Sequence, residues 1–283
     1  MILVADGGST KTEWRAIEND QPGSSIFSAG INPYFLSAED IIELIRKDLQ
    51  PFSAEKVEKI WFYGTGCNSE AKNNKVKSAL TSLFPEGEVF VGSDLLGAAR
   101  ALCQDKPGIA CIMGTGSNSC FYNGKDIVAN VAPLGYILGD EGGGAVLGKK
   151  LLSAVLKKQV PEEVRKAFFD TYQMSTADIL DSVYMKPFPN RFLGQFARFI
   201  SDNIQYPELQ EIITSSFDEF IRRNVLQYPE SKEYEINFTG SIAFYFRSFL
   251  EECLSKNGLR AGKFTLTPVE DLVRYHISGF NAK

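Results

Sequence analysis

Ile109-Ala110-Cys111-Ile112-Met113 runs straight into Gly114-Thr115-Gly116-Ser117-Asn118, an apolar strand ending in a small polar turn, and 119–122 then reads as a return strand. Laid over 2–11, the segment matches in character position by position. Ile2-Leu3-Val4-Ala5 is apolar, and Asp6-Gly7-Gly8-Ser9-Thr10-Lys11 is a polar turn. A strand-turn-strand unit that recurs in this way implies a duplicated chain with two related lobes. Any two glycine-rich hairpins share some of this character, so the repeat needs its surroundings to decide the fold.

The surroundings agree with it. After the opening strand, 12–17 and 24–28 read as further strands of an antiparallel meander. Ser37 can cap a helix to about Leu49, with Ile41, Ile42, Leu44, Ile45 and Leu49 as its apolar stripe. Strands over 59–63 and 88–91 then alternate with helices over 69–83 and 94–103, the pattern of an α/β lobe. Residues 104–108 carry a Pro and a Gly and mark the joint between lobes. Beyond the repeat, 141–226 reads as mostly helical, with caps and breaks at Pro161, Ser175, Pro187-Phe188-Pro189 and Pro207. A strand over 235–239, a helix over 241–254, a strand over 263–266 and a final helix over 269–280 follow. The expected division is 1–107 and 108–283, with a helical insert over about 150–230 and a final helix (268–280) that can return to the first lobe.

Composition narrows the function classes. The 283 residues are 44% hydrophobic and 23% charged, enough for a substantial core in each lobe. A net charge of -5 supplies no field for a phosphate backbone, so nucleic acid is not an expected partner. No apolar run reaches the roughly 18 residues of a membrane-spanning helix, and no membrane partner is expected. The start lacks a basic n-region and is expected to be a first strand, not a signal peptide. Cys67, Cys103, Cys111, Cys120 and Cys253 form no CxxC pair, and they read as reduced, buried thiols of a cytoplasmic protein. A single histidine, His276, leaves no room for a multi-histidine zinc site or a Ser-His-Asp hydrolase.

Two of the motifs have the parts of a phosphate site. In Asp6-Gly7-Gly8-Ser9-Thr10-Lys11, glycines let backbone N–H groups approach an anion, hydroxyls add donors and Lys11 adds charge. Asp6, at the strand end, can hold Mg²⁺ through water. The spacing differs from a Walker A loop, and a strand follows instead of a helix. The turn at Gly114-Thr115-Gly116-Ser117 is a second candidate cradle, and the pair points to a nucleotide. Ser93-Asp94 precedes an apolar helix, where Asp94 is either a cap or a base at the carboxyl end of a strand. In Gly139-Asp140-Glu141-Gly142-Gly143-Gly144 a carboxylate can cap the next helix. Three glycines there cost roughly 1 kcal/mol each relative to Ala, so a ligand or another backbone is expected close by. Thr239-Gly240-Ser241-Ile242-Ala243 is a strand, a tight turn and a helix, either a plain junction or a surface for a planar base.

In order along the chain, DGGSTKT at 6–12, GIN at 30–32, GTG at 64–66, SDLLGA at 93–98, GTGSN at 114–118, LGDEGGG at 138–144 and TGSIA at 239–243 resemble the sugar-kinase/heat-shock/actin superfamily. Within it they are most similar to the N-acetylglucosamine-kinase-like branch, which also contains BadF/BadG/BcrA/BcrD-type ATPases. The motifs span nearly the whole chain. The resemblance implies an α/β fold of two actin-like (ribonuclease H-like) lobes with an ATP cleft between them, and Mg-ATP as cofactor. It implies phosphate contacts from Asp6, Gly7, Gly8, Ser9, Thr10, Lys11, Gly114, Thr115, Gly116 and Ser117, with Asp6 near the metal. Gly240, Ser241 and Ala243 would form the adenosine motif. Asp94 would be the base for the sugar 6-hydroxyl, and Asn32, Thr115, Gly116, Asp140 and Gly144 would also meet the sugar. The expected reaction is phosphorylation of a hexose or amino sugar, N-acetylglucosamine first, with a homodimer as an assembly the residues themselves do not address. The alternative is a BadF-type switch ATPase with no small acceptor, although the cysteines lack the pair that a shared iron-sulfur cluster needs. Two departures concern the acceptor: Leu134 stands where the family has a stacking tryptophan, with Tyr136 as a candidate substitute, and Cys67-Asn68 follows GTG where a serine is frequent.

Overall fold

The computed structural model describes residues 1–8, 11–52 and 54–281. Their strands form two five-stranded sheets. The first is built from β1 (Ile2–Gly7), β2 (Lys11–Glu18), β3 (Gln21–Ala29), β4 (Lys59–Gly64) and β5 (Glu88–Ser93), in the order β3-β2-β1-β4-β5. β1 and β2 pair antiparallel, as do β2 and β3, whereas β4 runs parallel to β1 and β5 parallel to β4. The helices interleaved with it are α1 (Ala38–Ile45), α2 (Glu70–Leu83) and α3 (Asp94–Cys103).

Side-chain alternation along β1 explains how this sheet is covered. Leu3 and Ala5 share one core with Ile41 and Ile45 of α1 and Val76 and Leu80 of α2. Val4 points the other way, into a core with Ala101 of α3 and with Leu272 and Val273 of α13 (Val269–Asn281). A central strand buried on both faces needs an unbroken apolar run, and Ile2-Leu3-Val4-Ala5 is one.

The second sheet comprises β6 (Pro107–Met113), β7 (Ser117–Asn123), β8 (Ile127–Val131), β9 (Ile236–Thr239) and β10 (Ala261–Thr265), in the order β10-β9-β6-β7-β8. Read from β8, its order repeats that of the first sheet, and β6–β9 and β9–β10 are again parallel. The duplication implied by the sequence repeat is therefore present in strand order. Between β8 and β9 the chain forms α4 (Gly135–Leu138), α5 (Gly144–Leu156), α6 (Glu162–Tyr172), α7 (Thr176–Tyr184), α8 (Pro189–Gly194), α9 (Ala197–Asp202) and α10 (Pro207–Arg223). After β9 come α11 (Ser241–Tyr245) and α12 (Arg247–Lys256). By contacts the chain divides into one unit of Met1–Pro107, Tyr122–Ile127 and Thr267–Lys283, and another of Gly108–Phe121 and Val128–Leu266.

Several sequence expectations are corrected. Helix α1 ends at Ile45, not near Leu49. A turn closed by the Leu49 and Phe52 amides carries the chain to Pro51, which disfavours helix at the residue before it. The expected helix over 241–254 is two, because Phe246 leaves helical geometry (φ -105°, ψ 25°) as its side chain becomes buried. Ser117 and Asn118 belong to β7, so the turn is Gly114-Thr115-Gly116. Strand β8 was not anticipated, although Asn123-Gly124 is a hairpin signal. Gly124 has φ +97°, and Asn123 Oδ1 accepts from the amides of Lys125 and Asp126.

The lone histidine is structural. His276 is 4% exposed, stacks on Trp61 with centroids 4.4 Å apart, and shares a 3.0 Å hydrogen bond with Tyr63 Oη. Arg100 Nη1 donates to the same Tyr63 oxygen at 2.7 Å. Burial, with Arg100 and Lys59 nearby, pushes the imidazole down to about 3. All five cysteines are buried and none is in a disulfide. Among the described residues no helix is long and apolar enough to cross a membrane.

Candidate active site

Parallel pairing of β1, β4 and β5 brings three strand ends to one edge of the first sheet, where open α/β sheets place ligands. Asp6 lies at the end of β1, Thr65 and Gly66 follow β4, and Asp94 opens α3 directly after β5. The Thr65 amide donates to the Gly7 carbonyl at 2.8 Å, which seams the two turns together. Ser93 is the cap of α3, its Oγ accepting from the Leu96 amide at 3.1 Å. Asp94 is thus relieved of capping. One of its oxygens accepts from the Leu95 amide at 2.8 Å, and the Thr65 hydroxyl also bonds the carboxylate.

Asp6 and Asp94 are half-buried and close enough to repel. Burial above all, then Asp94 and Glu13, pushes the Asp6 carboxyl up to about 7 against the opposing pull of Lys11. Burial also raises Asp94, with the Leu95 amide working against it. A buried carboxylate pair of this kind is a place where a cation is favourable. Asn32 joins the same edge: its Oδ1 accepts from the Tyr34 amide at 3.0 Å and lies 2.8 Å from where a Cβ on Gly66 would stand. Lys11 is exposed, with Nζ 4.8 Å from the Phe27 ring centre. Gly8 donates its amide to the Lys11 carbonyl at 3.0 Å, while Ser9 and Thr10 lie outside the described residues.

In the second unit the Gly114-Thr115-Gly116 turn forms one hydrogen-bonded block with the 139–145 segment. The Gly144 and Ala145 amides, at the start of α5, donate to the carbonyls of Gly114 and Thr115, both at 2.8 Å. A Cβ on Gly143 would stand 2.7 Å from the Gly116 carbonyl carbon, and one on Gly142 2.3 Å from Met113 Cε. An approaching backbone explains Gly143, while Gly142 is required by the Met113 side chain and by its left-handed φ of +72°. Neither carboxylate caps α5, whose cap position is Gly143. Asp140 instead takes a left-handed conformation (φ +54°) and accepts the Ser117 amide at 3.1 Å, its other oxygen lying 2.7 Å from where a Cβ on Gly116 would be. Burial raises the Asp140 carboxyl above the usual carboxylate range, opposed by the Ser117 amide. Both the amide and the hydroxyl of Ser117 are engaged by 140–141, since Oγ donates to the Glu141 carbonyl at 2.7 Å.

Gly240, at φ +113°, packs its α-carbon on the Met113 carbonyl, where a Cβ would fall at 2.4 Å. Ser241 and Ile242 then line a cavity of about 490 Å³, whose other wall includes Gly194, Arg198, Ser201 and Asp202 at the α8–α9 junction, with Tyr245 also lining it. Ala243, next along α11, is buried. A Cβ on Gly194 would meet Thr115 Cγ2 at 3.3 Å, so the cavity adjoins the turn. By contrast, a Cβ on Gly114 would meet nothing within 4 Å. Sequence reading missed the α8–α9 wall, because nothing in Gly194-Gln195-Phe196-Ala197-Arg198 departs from ordinary helix composition. Leu134 is 60% exposed and left-handed, and Tyr136 packs against the second core.

Comparison with known proteins agrees with this fold. A Porphyromonas gingivalis protein whose solved structure carries the assignment N-acetylglucosamine kinase is 43% identical, with 99% of this chain and all of that one covered and a TM-score of 0.95. The curated N-acetylmuramic acid/N-acetylglucosamine kinase of Clostridium acetobutylicum is 27% identical over 163 residues, 55% of this chain. That match spans about half (53%) of the curated relative's length. A ROK-family glucokinase from Streptomyces griseus, solved with glucose and AMPPNP, shares the fold at 11% identity and a TM-score of 0.56 over 98% of both chains. No protein-family model matches the chain. With strand order, motif order and a full-length relative in agreement, the chain belongs to the N-acetylglucosamine-kinase-like family of sugar kinases.

Proposed function

We propose that this protein transfers the γ-phosphoryl group of ATP to a hydroxyl of an N-acetylhexosamine, N-acetylglucosamine being the first expected acceptor. The observation that carries the reading is that, within the second unit, Ser241 lines a cavity of about 490 Å³ whose wall residue Gly194 packs on Thr115 of the Gly114-Thr115-Gly116 turn, the turn itself being hydrogen-bonded to the 139–145 segment. That volume falls within the range of small-molecule sites. The base and ribose take the cavity beside Ser241, and the phosphates lie along the turn, where Gly114 leaves open space.

Asp94 is the base. It accepts the proton of the attacking hydroxyl as the new oxygen–phosphorus bond forms and the bond from the γ-phosphorus to the bridging oxygen breaks, releasing ADP. The burial that raises the Asp94 carboxyl makes its carboxylate a stronger base. Asn32 and Asp140 accept or donate hydrogen bonds to other sugar hydroxyls, fixing which one is presented. The residues fit a divalent cation at Asp6, since two half-buried carboxylates there disfavour each other's charge. When bound, Mg²⁺ neutralises phosphate charge. Among the described residues no three acidic, histidine or cysteine side chains surround a common point, so a cation held at Asp6 would take its remaining ligands from water and phosphate oxygens.

The test is ADP release from Mg-ATP across a panel of hexoses, N-acetylhexosamines and N-acetylmuramic acid. An increase of orders of magnitude with one N-acetylhexosamine supports the proposal. Release that no sugar raises, but that a partner protein stimulates, supports a switch ATPase instead.

A further inference from the structure

We infer that Glu141, held by Arg223 and Asn224, is a positioning residue that fixes the sugar-facing Asp140 and the phosphate-facing turn as a single block; the inference rests on the kinase reading above. The Glu141 side chain is only 7% exposed, and its two oxygens have separate partners. Oε1 pairs with Arg223 Nη1 at 2.9 Å, and Oε2 accepts from Asn224 Nδ2 at 3.2 Å. Both partners come from the end of α10, which is anchored in the core through Phe217, Phe220 and Ile221. Arg223 reaches in from the surface, 53% exposed, and also pairs with Glu219.

Glu141 touches neither candidate substrate group, yet its main chain and its neighbours touch both. Its carbonyl accepts the Ser117 hydroxyl, the Ser117 amide is spent on Asp140, and the Asp140 carbonyl accepts the Gly143 amide at 2.9 Å. Gly144 and Ala145 then bond back to Gly114 and Thr115. The 114–117 turn and the 140–145 loop thus close a ring of hydrogen bonds with few side chains in it. Five glycines stand in these two stretches, so the ring has little side-chain packing of its own. A buried carboxylate bonded on both oxygens to a rigid helix is what pins it. Asp140 sits in a left-handed conformation that a non-glycine residue adopts at some cost, and the same anchor holds it there.

The test uses Glu141→Gln, which keeps shape and removes charge, and Arg223→Ala, which alters only a half-exposed side chain. Amide hydrogen exchange on the protein without substrates should accelerate by tenfold or more at Ser117, Gly143, Gly144 and Ala145 together in Glu141→Gln, while the α2 and α3 amides are unchanged. The sugar KM should rise by about tenfold or more in both variants, because sub-ångström misplacement of a substrate-positioning group is costly. Arg223→Lys should restore it to within about threefold. Faster exchange confined to 140–143, or a sugar KM within twofold of the parent, overturns the inference. Exchange is read without substrate, so a parent protein that phosphorylates no sugar sinks the kinase reading while exchange still decides whether turn and loop move as one.

Discussion

Gly114 and Gly143 belong to the same hydrogen-bonded block and should respond to alanine in opposite ways. At Gly114 a Cβ meets nothing within 4 Å, and the backbone is outside the left-handed region. Gly114→Ala therefore costs no packing, and restricting the unfolded chain adds about 0.4–1 kcal/mol of stability. If phosphate oxygens fill that space, however, the methyl displaces them. Losing one charge-assisted hydrogen bond is worth about 1.5–3 kcal/mol, or roughly 10- to 150-fold in nucleotide affinity. At Gly143 the Cβ would stand 2.7 Å from the Gly116 carbonyl carbon and 2.9 Å from its α-carbon, so backbone must move. Gly143→Ala should cost about 1–3 kcal/mol as overpacking. The assay is thermal unfolding without ligand, paired with calorimetric titration of ATP. The account requires Gly114→Ala to melt at or above the parent temperature and to bind ATP at least tenfold more weakly. Affinity within twofold of the parent would mean that the turn does not touch phosphate, and would refute the reasoning.

Three further outcomes follow from the packing. Gly240→Ala combines φ +113° with a 2.4 Å approach to the Met113 carbonyl oxygen, and should lose at least about 1–3 kcal/mol in thermal unfolding. His276 stays neutral in the folded protein down to about 3 but titrates near 6.5 when unfolded. As pH falls below 6.5 only the unfolded chain takes up that proton, so its contribution to stability is lost on acidification. The parent should lose about 2 kcal/mol more than His276→Phe between pH 7 and 5, read as the difference between their urea-unfolding curves; parallel pH profiles would contradict it. All five thiols should resist a water-soluble disulfide reagent in the native protein and react together on unfolding, because all are buried.

The fold was legible because its signals are local and strong. Apolar runs at Ile2-Leu3-Val4-Ala5 and Ile109-Ala110-Cys111-Ile112-Met113 must be buried on both faces, and that alone makes them central strands. Ser37 and Ser175 were legible as caps, and the structure adds Asp40 and Asp178 three residues on, so both form capping boxes. Packing decided what sequence could not. The break at Phe246 comes from burying one ring, against the helical pattern on either side. For Asp94, spacing left cap and base equally open, and the structure gives the cap to Ser93. For the 142–144 glycines, the cost was legible but not its cause, because Gly116 is distant in sequence. Arg223 and Asn224 were invisible for the same reason, since nothing local ties the end of α10 to Glu141.

The most direct measurement is the identity of the product formed from Mg-ATP and N-acetylglucosamine, by mass spectrometry and phosphorus NMR, with the parent and Asp94→Asn side by side. The account predicts stoichiometric ADP and a sugar monophosphate with the phosphate on the 6-oxygen. Asp94→Asn should bind ATP normally yet form that product at least about 100-fold more slowly, the usual scale of a lost general base. ADP accompanied only by inorganic phosphate, or an Asp94→Asn variant as fast as the parent, would contradict it.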